Sequence, residues 1–345
     1  MTHPYSDLPP NAFWRSGVAE ETLTPEALYR PKFPLGPDAA IATAGSCFAQ
    51  HIGRFLHTSG LNLLDVEPPL NDEAPGLARQ YGYGIYSARY GNIYTTRQLL
   101  QLLEDAASGH VDGDLVWEHQ GRFHDALRPA IEPEGFVSVE ETLALRRAHL
   151  AAVDRLIGQA THLIFTLGLC ECWADRQSGR VYPIAPGVIA GEYDAYRHHL
   201  LRLGYPDLMD DLIAIRAALH RRNPGLRMIL TVSPVPLTAT ATGQHVLTAT
   251  TEAKSLLRAV AGAFAEGLED VDYFPAYEIV MNPAAKGAFF MPNLREVSQE
   301  GVDAVMTVFR HAHGIAVAET PDAPSRATPA EELLCEEVLI EALRR

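Results

Sequence analysis

The stretch that most constrains how this chain can fold runs from Ala39 to Gly60. Ala39 to Thr43 (AAIAT) is a nearly unbroken apolar run, the pattern of a strand buried on both faces. Gly45 and Ser46 come next. Phe48, Ile52, Phe55 and Leu56 then recur at helical spacing until Gly60, a C-terminal stop. The pattern predicts strand, tight turn, helix, with Gly45 and Ser46 on the turn. A hydroxyl there stands beside the unpaired N–H groups that open a helix, where negative charge is favoured. Two roles fit such a serine: a helix cap, or a nucleophile whose acylation builds up an oxyanion.

The rest of the chain repeats this alternation. Helical spacing is predicted from Thr95 (TRQLLQLLEDA), over 139–157, over 207–220, over 251–264 and over 298–310. Between these lie apolar runs at 162–167 (HLIFTL), 227–232 (RMILTV) and 271–274 (VDYF), read as strands. Alternating strands and helices predict an open, mostly parallel α/β sheet covered on both faces, with its site beyond the carboxyl ends of the strands. Those ends carry Ser46, Gly168, Ser233 and Pro275. Residues 1–36 read as an N-terminal arm anchored by Trp14 and Tyr29, and 37–314 as the α/β domain. Residues 315–345 read as a linker and an amphipathic helix that begins with a capping box at Thr328. The Gly/Pro/Tyr-rich connection 65–92 is long enough to predict a functional loop. Residues 112–136 read as a hairpin insertion and 176–196 as a turn-rich one.

Composition narrows the function classes. The 345 residues carry a formal net charge of −15, which disfavours nucleic acid and anionic membranes as partners. No apolar run is long enough to span a bilayer. The N-terminus lacks a basic region followed by an apolar core, so a cytoplasmic protein is expected. Four cysteines, without a second Cys/His pair at zinc spacing, predict reduced thiols and no metal site. With no Walker loop, GxGxxG or HExxH, no cofactor is expected.

Five segments in order carry a resemblance: GSCF at 45–48, YGNIYT at 90–95, TLGL at 166–169, LTVSPVPL at 230–237 and DYFPAYEIV at 272–280. Together they resemble the GSCFA family, which is related to the SGNH (GDSL-like) hydrolases. The resemblance implies a three-layer α/β/α sandwich (SGNH/flavodoxin-like) and cleavage or transfer of acyl esters. It assigns Ser46 as nucleophile, and Gly91 and Asn92, with the serine's own N–H, as lining of an oxyanion hole; Gly168 competes for one of those positions.

The base departs from the pattern. Where SGNH enzymes carry Asp-x-x-His before the last helix, this chain has Asn293-Leu294-Arg295-Glu296. Glu296 would serve as base only if burial raised its pKa. His245, on the loop after the third strand, and His124, beside Asp125, are the alternative bases. Glu171 is a candidate acid partner or substrate-binding carboxylate, Arg89 and Arg128 are candidate substrate cations, and Cys47 is a rival nucleophile. The expected function is a serine-dependent esterase or acyltransferase on an acyl ester, acetyl for preference, of a carbohydrate or similar small molecule. The alternative is a non-catalytic carbohydrate-binding or scaffold protein on a degenerate SGNH fold. The C-terminal helix is expected to dock on the domain, with a homo-oligomer formed through that helix as the alternative.

Overall fold

In the computed structural model, which describes residues 3–19, 28–69, 75–315 and 339–340, the four apolar runs form a single parallel sheet. The chain opens with β1 (Ile41–Gly45), α1 (Ala49–Thr58), α2 (Pro75–Gln80) and α3 (Thr96–Ser108). The hairpin β2 (Val116–His119) and β3 (Arg122–Asp125) follows, then α4 (Val139–Gln159) and β4 (His162–Leu167). Three short strands come next: β5 (Glu171–Asp175), β6 (Val181–Tyr182) and β7 (His198–Arg202). The chain continues through α5 (Tyr205–Arg222), β8 (Arg227–Val232), α6 (Val246–Glu266), β9 (Val271–Tyr273), α7 (Ala276–Met281) and α8 (Gln299–Ala312).

The main sheet has the order β1-β4-β8-β9, all parallel. Beyond β1, Leu63 forms a parallel bridge with Ile41, so the chain leaving α1 runs along the outer side of β1 while β4 lies on the inner side. The sheet therefore reverses direction at β1, and the crevice at the carboxyl ends of β1 and β4 is the topological switch point.

Side chains alternate across the strands and build two cores. Leu163, Phe165 and Leu167 of β4 join Ala42, Ala44, Met228 and Leu230 in packing against α3, α4, α5 and α6. Ile41, Ile164 and Ile229 point the other way, against α1, α7 and α8. This is the three-layer α/β/α sandwich. Tyr29 and Phe33 of the N-terminal arm are buried in the second core, whereas Trp14, the other expected anchor, is 67% exposed. Among the described residues, no helix is long and apolar enough to cross a membrane.

Several details differ from the sequence pattern. The segment 176–196 is mostly turns, as expected, but it holds the short β6 and is flanked by β5 and β7, which pair as an unexpected antiparallel sheet β6-β5-β7. α6 starts at Val246 instead of 251, because the His245 side chain caps it. The linker and C-terminal helix expected over 315–345 lie outside the described residues except for Ile315, Leu339 and Ile340; Ile340 packs against the cluster around Trp117.

The connection after Ile85 is a loop by shape but buried throughout, and its backbone must find partners. Side chains and one backbone N–H of the loop tie it to β1, beyond the Leu63 bridge. Thr43 N–H donates to Ser87 Oγ at 2.9 Å, the Tyr90 hydroxyl donates to Thr43 O, and Ile93 N–H donates to Gly45 O at 2.8 Å. A capping box at Thr95 and Gln98 then starts α3. The loop is thus stitched along the strand edge up to Ser46.

This packing keeps four imidazoles neutral. Burial first, and a neighbouring positive or imidazole group second, lowers His51, His149, His162 and His313 to about 4; the neighbours are Arg54, Arg128, Arg227 and His162 respectively. An unfolded histidine protonates near 6.5, so between pH 6.5 and 4 the unfolded chain binds more protons and stability falls as pH falls. Each site contributes up to about 3 kcal/mol across that window. Urea unfolding is expected to show a lower midpoint at pH 5 than at pH 7.5, and His313→Phe should narrow the gap by about one site's share. An unchanged midpoint would contradict neutral burial.

Candidate functional site

Three backbone segments meet at the switch point, and one requirement organises them. Gly45 has φ +141°, and a Cβ there would stand 2.5 Å from Thr166 O on β4. Only glycine allows the two strands to approach this closely while the chain turns out to Ser46. Ser46 N–H donates to Thr166 O at 3.2 Å, and Ser46 O accepts from Ala49 N–H at 2.8 Å and lies 3.1 Å from the Tyr86 hydroxyl oxygen. Successive bonds from Ala49, Gln50 and His51 back to Ser46, Cys47 and Phe48 begin the helical turn directly after the serine.

Ser46 does not cap α1. The N-cap is Phe48, without a side-chain capping bond. Ser46 is 3% exposed, and its Oγ is buried with no hydrogen-bond partner among the described residues. Cys47, the rival nucleophile, is buried in the core under α1 and α8.

The second segment is the loop 90–95. Gly91 takes φ +69°. Asn92 is buried, and its Oδ1 accepts from Gln50 Nε2 at 3.3 Å and from the Tyr86 hydroxyl. Two donors on the oxygen fix the orientation of the carboxamide and turn its nitrogen to the other side. Asn92 also lines a cavity of about 30 Å³ with Tyr90, Ile93, Gln98, Arg146 and Arg180, room for about one water.

The third segment is Gly168-Leu169. Both N–H groups donate to Tyr94 O, at 3.1 and 2.8 Å, so the Gly168 amide is engaged within the scaffold. What Gly168 provides is room, since a Cβ there would stand 2.7 Å from Ser46 Cβ. Its carbonyl accepts from the buried Lys254 Nζ at 2.8 Å. The serine's own N–H, expected at an oxyanion hole, is likewise engaged, with Thr166 O.

The candidate bases lie apart from these contacts, and no hydrogen bond joins Ser46 to His245, His124 or Glu296. His245 is exposed, and its Nδ1 accepts from Leu247 N–H at 3.2 Å as the cap of α6. Asn293 and Glu296 are exposed; Asn293 Oδ1 accepts the N–H groups of Arg295 and Glu296, both at 3.0 Å, and closes a turn that leads into α8. His124 is buried in the β2-β3 hairpin with Nδ1 3.3 Å from Pro129 O, and burial lowers its basicity. Glu171 is half-buried at the start of β5 and accepts from the Thr240 hydroxyl at 3.1 Å; burial raises its carboxyl.

Arg89 and Arg128, candidates for holding substrate, are both buried and committed internally. Arg89 binds Tyr81 O, Ile131 O and Glu132, and Arg128 binds Asp125 at 2.7 Å and Arg89 O at 3.0 Å. The same network holds Glu67 against His149 Nδ1 at 2.7 Å. Burial alone would raise Glu67, but the bond from His149 and the charge of Arg128 outweigh it and leave the carboxyl at about 2.

Sequence patterns missed Gln50, Tyr86 and Lys254. Gln50 and Tyr86 carry no signal, since their role depends on a loop folding back on β1. Lys254 does carry one: it falls on the apolar stripe of α6, with Ala253, Leu257 and Ala261. Among the described residues, no group of three or more His, Cys, Asp or Glu side chains is placed to hold a metal.

The GSCFA family model matches residues 40–309, from the residue before β1 into α8. Comparison with curated proteins finds no match.

Gly45→Ala adds a methyl group against backbone at a φ that side chains avoid, and is expected to cost about 3 kcal/mol or more. Gly36→Ala, where nothing lies within 4 Å of an added Cβ, should stay within about 0.5 kcal/mol of wild type. Urea unfolding of both variants checks the contrast.

Proposed function

Because the chain belongs to the GSCFA family, we propose that it is a serine-dependent esterase or acyltransferase, with an acetyl ester of a carbohydrate or similar small molecule as substrate. The observation that carries the reading is the Ser46 hydroxyl, buried and unpartnered at the topological switch point of the sheet. A buried polar atom without a partner is costly, and of the hydroxyls left so, which include those of Thr43, Thr166 and Thr231, the Ser46 hydroxyl is the one at the turn from β1 into α1. The start of α1 adds the positive end of a helix dipole beside it.

In this reading Ser46 Oγ attacks the acyl carbon. The carbonyl π pair moves onto oxygen, and the Asn92 amide with the helix N-terminus stabilises the charge formed there. The hydroxyl proton passes to water in the crevice, since neither His245 nor Glu296 bonds to the serine. Collapse of the intermediate expels the alkoxide, which takes a proton from that water. A second water or an alcohol then attacks the acyl carbon, the bond to Ser46 Oγ breaks, and the proton lost by the acceptor returns through water to Ser46 Oγ.

One observation favours the non-catalytic alternative. Asn293 and Glu296 stand where the resemblance expects Asp and His, and both are exposed, with the Asn293 side chain spent on a turn.

Intact-mass labelling with a fluorophosphonate separates the two. The catalytic reading expects one adduct on wild type and none on Ser46→Ala. Asn92→Ala should label about 100-fold more slowly, while Glu296→Gln and His245→Ala should stay within about threefold, the latter losing about 1 kcal/mol of stability with its cap. A folded wild type that takes no adduct would select the binding protein.

A further inference from the structure

Lys254 is among the most deeply buried side chains of the molecule, 1% exposed on the apolar stripe of α6. Its neighbours along that stripe are Ala249, Ala253, Leu257 and Val260. An ammonium in such a place is costly, and a methionine or leucine would fill the same volume without that cost. The side chain instead reaches Gly168 O, to which Nζ donates at 2.8 Å. Gly168 is the residue pressed against Ser46: a Cβ on it would stand 2.7 Å from Ser46 Cβ and 3.4 Å from Ser46 Oγ. The cation is therefore one residue removed from the unpartnered hydroxyl.

Satisfying a carbonyl does not require a charge, since a glutamine donates equally well. What distinguishes lysine is its positive charge, in a place where other features are negative. The carbonyl ends of parallel strands converge on this edge, and the chain as a whole carries −15. The charges that act on Cys170, two residues after Gly168, are Glu171, Glu252, Arg202 and Lys254 itself. Glu171 and Glu252 are acidic, and Arg202 is paired with Glu252 at 2.7 Å.

We propose that Lys254 is the positioning residue of the Ser46 site, whose buried ammonium fixes the Gly168 peptide against the serine and stabilises the negative charge that develops on Ser46 Oγ during attack. The inference rests on the reading of Ser46 as nucleophile. It accounts for how a serine without a hydrogen-bonded base becomes reactive: the barrier to losing the hydroxyl proton to water falls because the resulting oxygen charge forms near a fixed, buried cation. In the labelling reaction the Oγ–P bond forms, fluoride leaves with the P–F electron pair, and the hydroxyl proton goes to water.

The test is the rate of Ser46 labelling by a fluorophosphonate between pH 6 and pH 10, on wild type, Lys254→Gln and Lys254→Arg, with circular dichroism to establish folding. Lys254→Gln keeps a donor for Gly168 O and removes the charge. It is expected to label about tenfold more slowly at pH 7, with its rate levelling off at higher pH than wild type. Lys254→Arg, which keeps the charge, should recover part of the rate and the wild-type profile. If Lys254→Gln does not fold, Lys254→Met, whose unbranched stem suits the apolar stripe, is measured in its place with the same expectation. A folded Lys254→Gln within twofold of wild type at every pH would overturn the inference. So would a slower variant with an undisplaced profile, which would make Lys254 a packing residue only. A wild type that takes no adduct at Ser46 would overturn the nucleophile reading as well, so the two failures are told apart.

Discussion

The site depends on the absence of one side chain. β1 and β4 run parallel, with Gly45 opposite Thr166, and at that pair the backbones come closer than a Cβ allows. The approach lets Ser46 N–H extend the ladder by one bond to Thr166 O before the chain turns into α1. It also fixes where the serine can be. A strand that ended with ordinary spacing would release its next residue into solvent as a helix cap. Here the next residue is held over the sheet edge, and capping falls to the backbone of Phe48.

A second constraint follows from the outer edge of β1. An edge strand presents unpaired N–H and C=O groups, and in this chain a further full strand does not cover them. The loop after Ile85 does so with a mixture of backbone and side-chain groups, from Ser87 Oγ to Ile93 N–H. Because each bond is spent on β1, the loop reaches the site in a single register, and Asn92 arrives beside Tyr86 and Gln50. Burial of the Arg89, Arg128, Glu67 and His149 network beneath the loop has the same effect. Charges that a sequence would place on the surface, ready for a substrate, are consumed in holding the loop.

That division marks what was legible in the sequence. The sheet, its helices and the turn at Gly45-Ser46 follow from apolar periodicity and one glycine, features local to 39–60 and repeated down the chain. The β6-β5-β7 sheet was not legible, because strands such as Val181–Tyr182 are too short to show a period. The surroundings of Ser46 were only half legible. Topology says which loops leave the carboxyl edge, and His245 does lie on one of them. It does not say which way a side chain turns, and His245 turns to its own helix. Arg89 and Arg128 fail for the same reason, since a buried partner distant in sequence leaves no local trace. Lys254 is the opposite case: a lysine in an apolar stripe breaks the helical pattern, and the break can be read from the spacing of residues 249–261 alone.

In the proposed reading, having Asn293 and Glu296 where the resemblance expects Asp and His removes a proton acceptor and leaves the electrostatic part of the Ser46 site. The two are separable. A base determines how readily the hydroxyl proton departs, whereas in the proposed reading the helix N-terminus, the Asn92 carboxamide and the Lys254 ammonium would set how stable the oxygen charge is once formed. A buried cation one residue from a buried hydroxyl bears a desolvation cost that the proposed chemistry would account for. Neutral substitutes exist for each: alanine for Ser46, methionine for Lys254. Retaining the costly pair while the segment ahead of α8 has turned to solvent is the arrangement expected if charge stabilisation, rather than proton abstraction by a fixed side chain, is what the Ser46 site contributes to its chemistry.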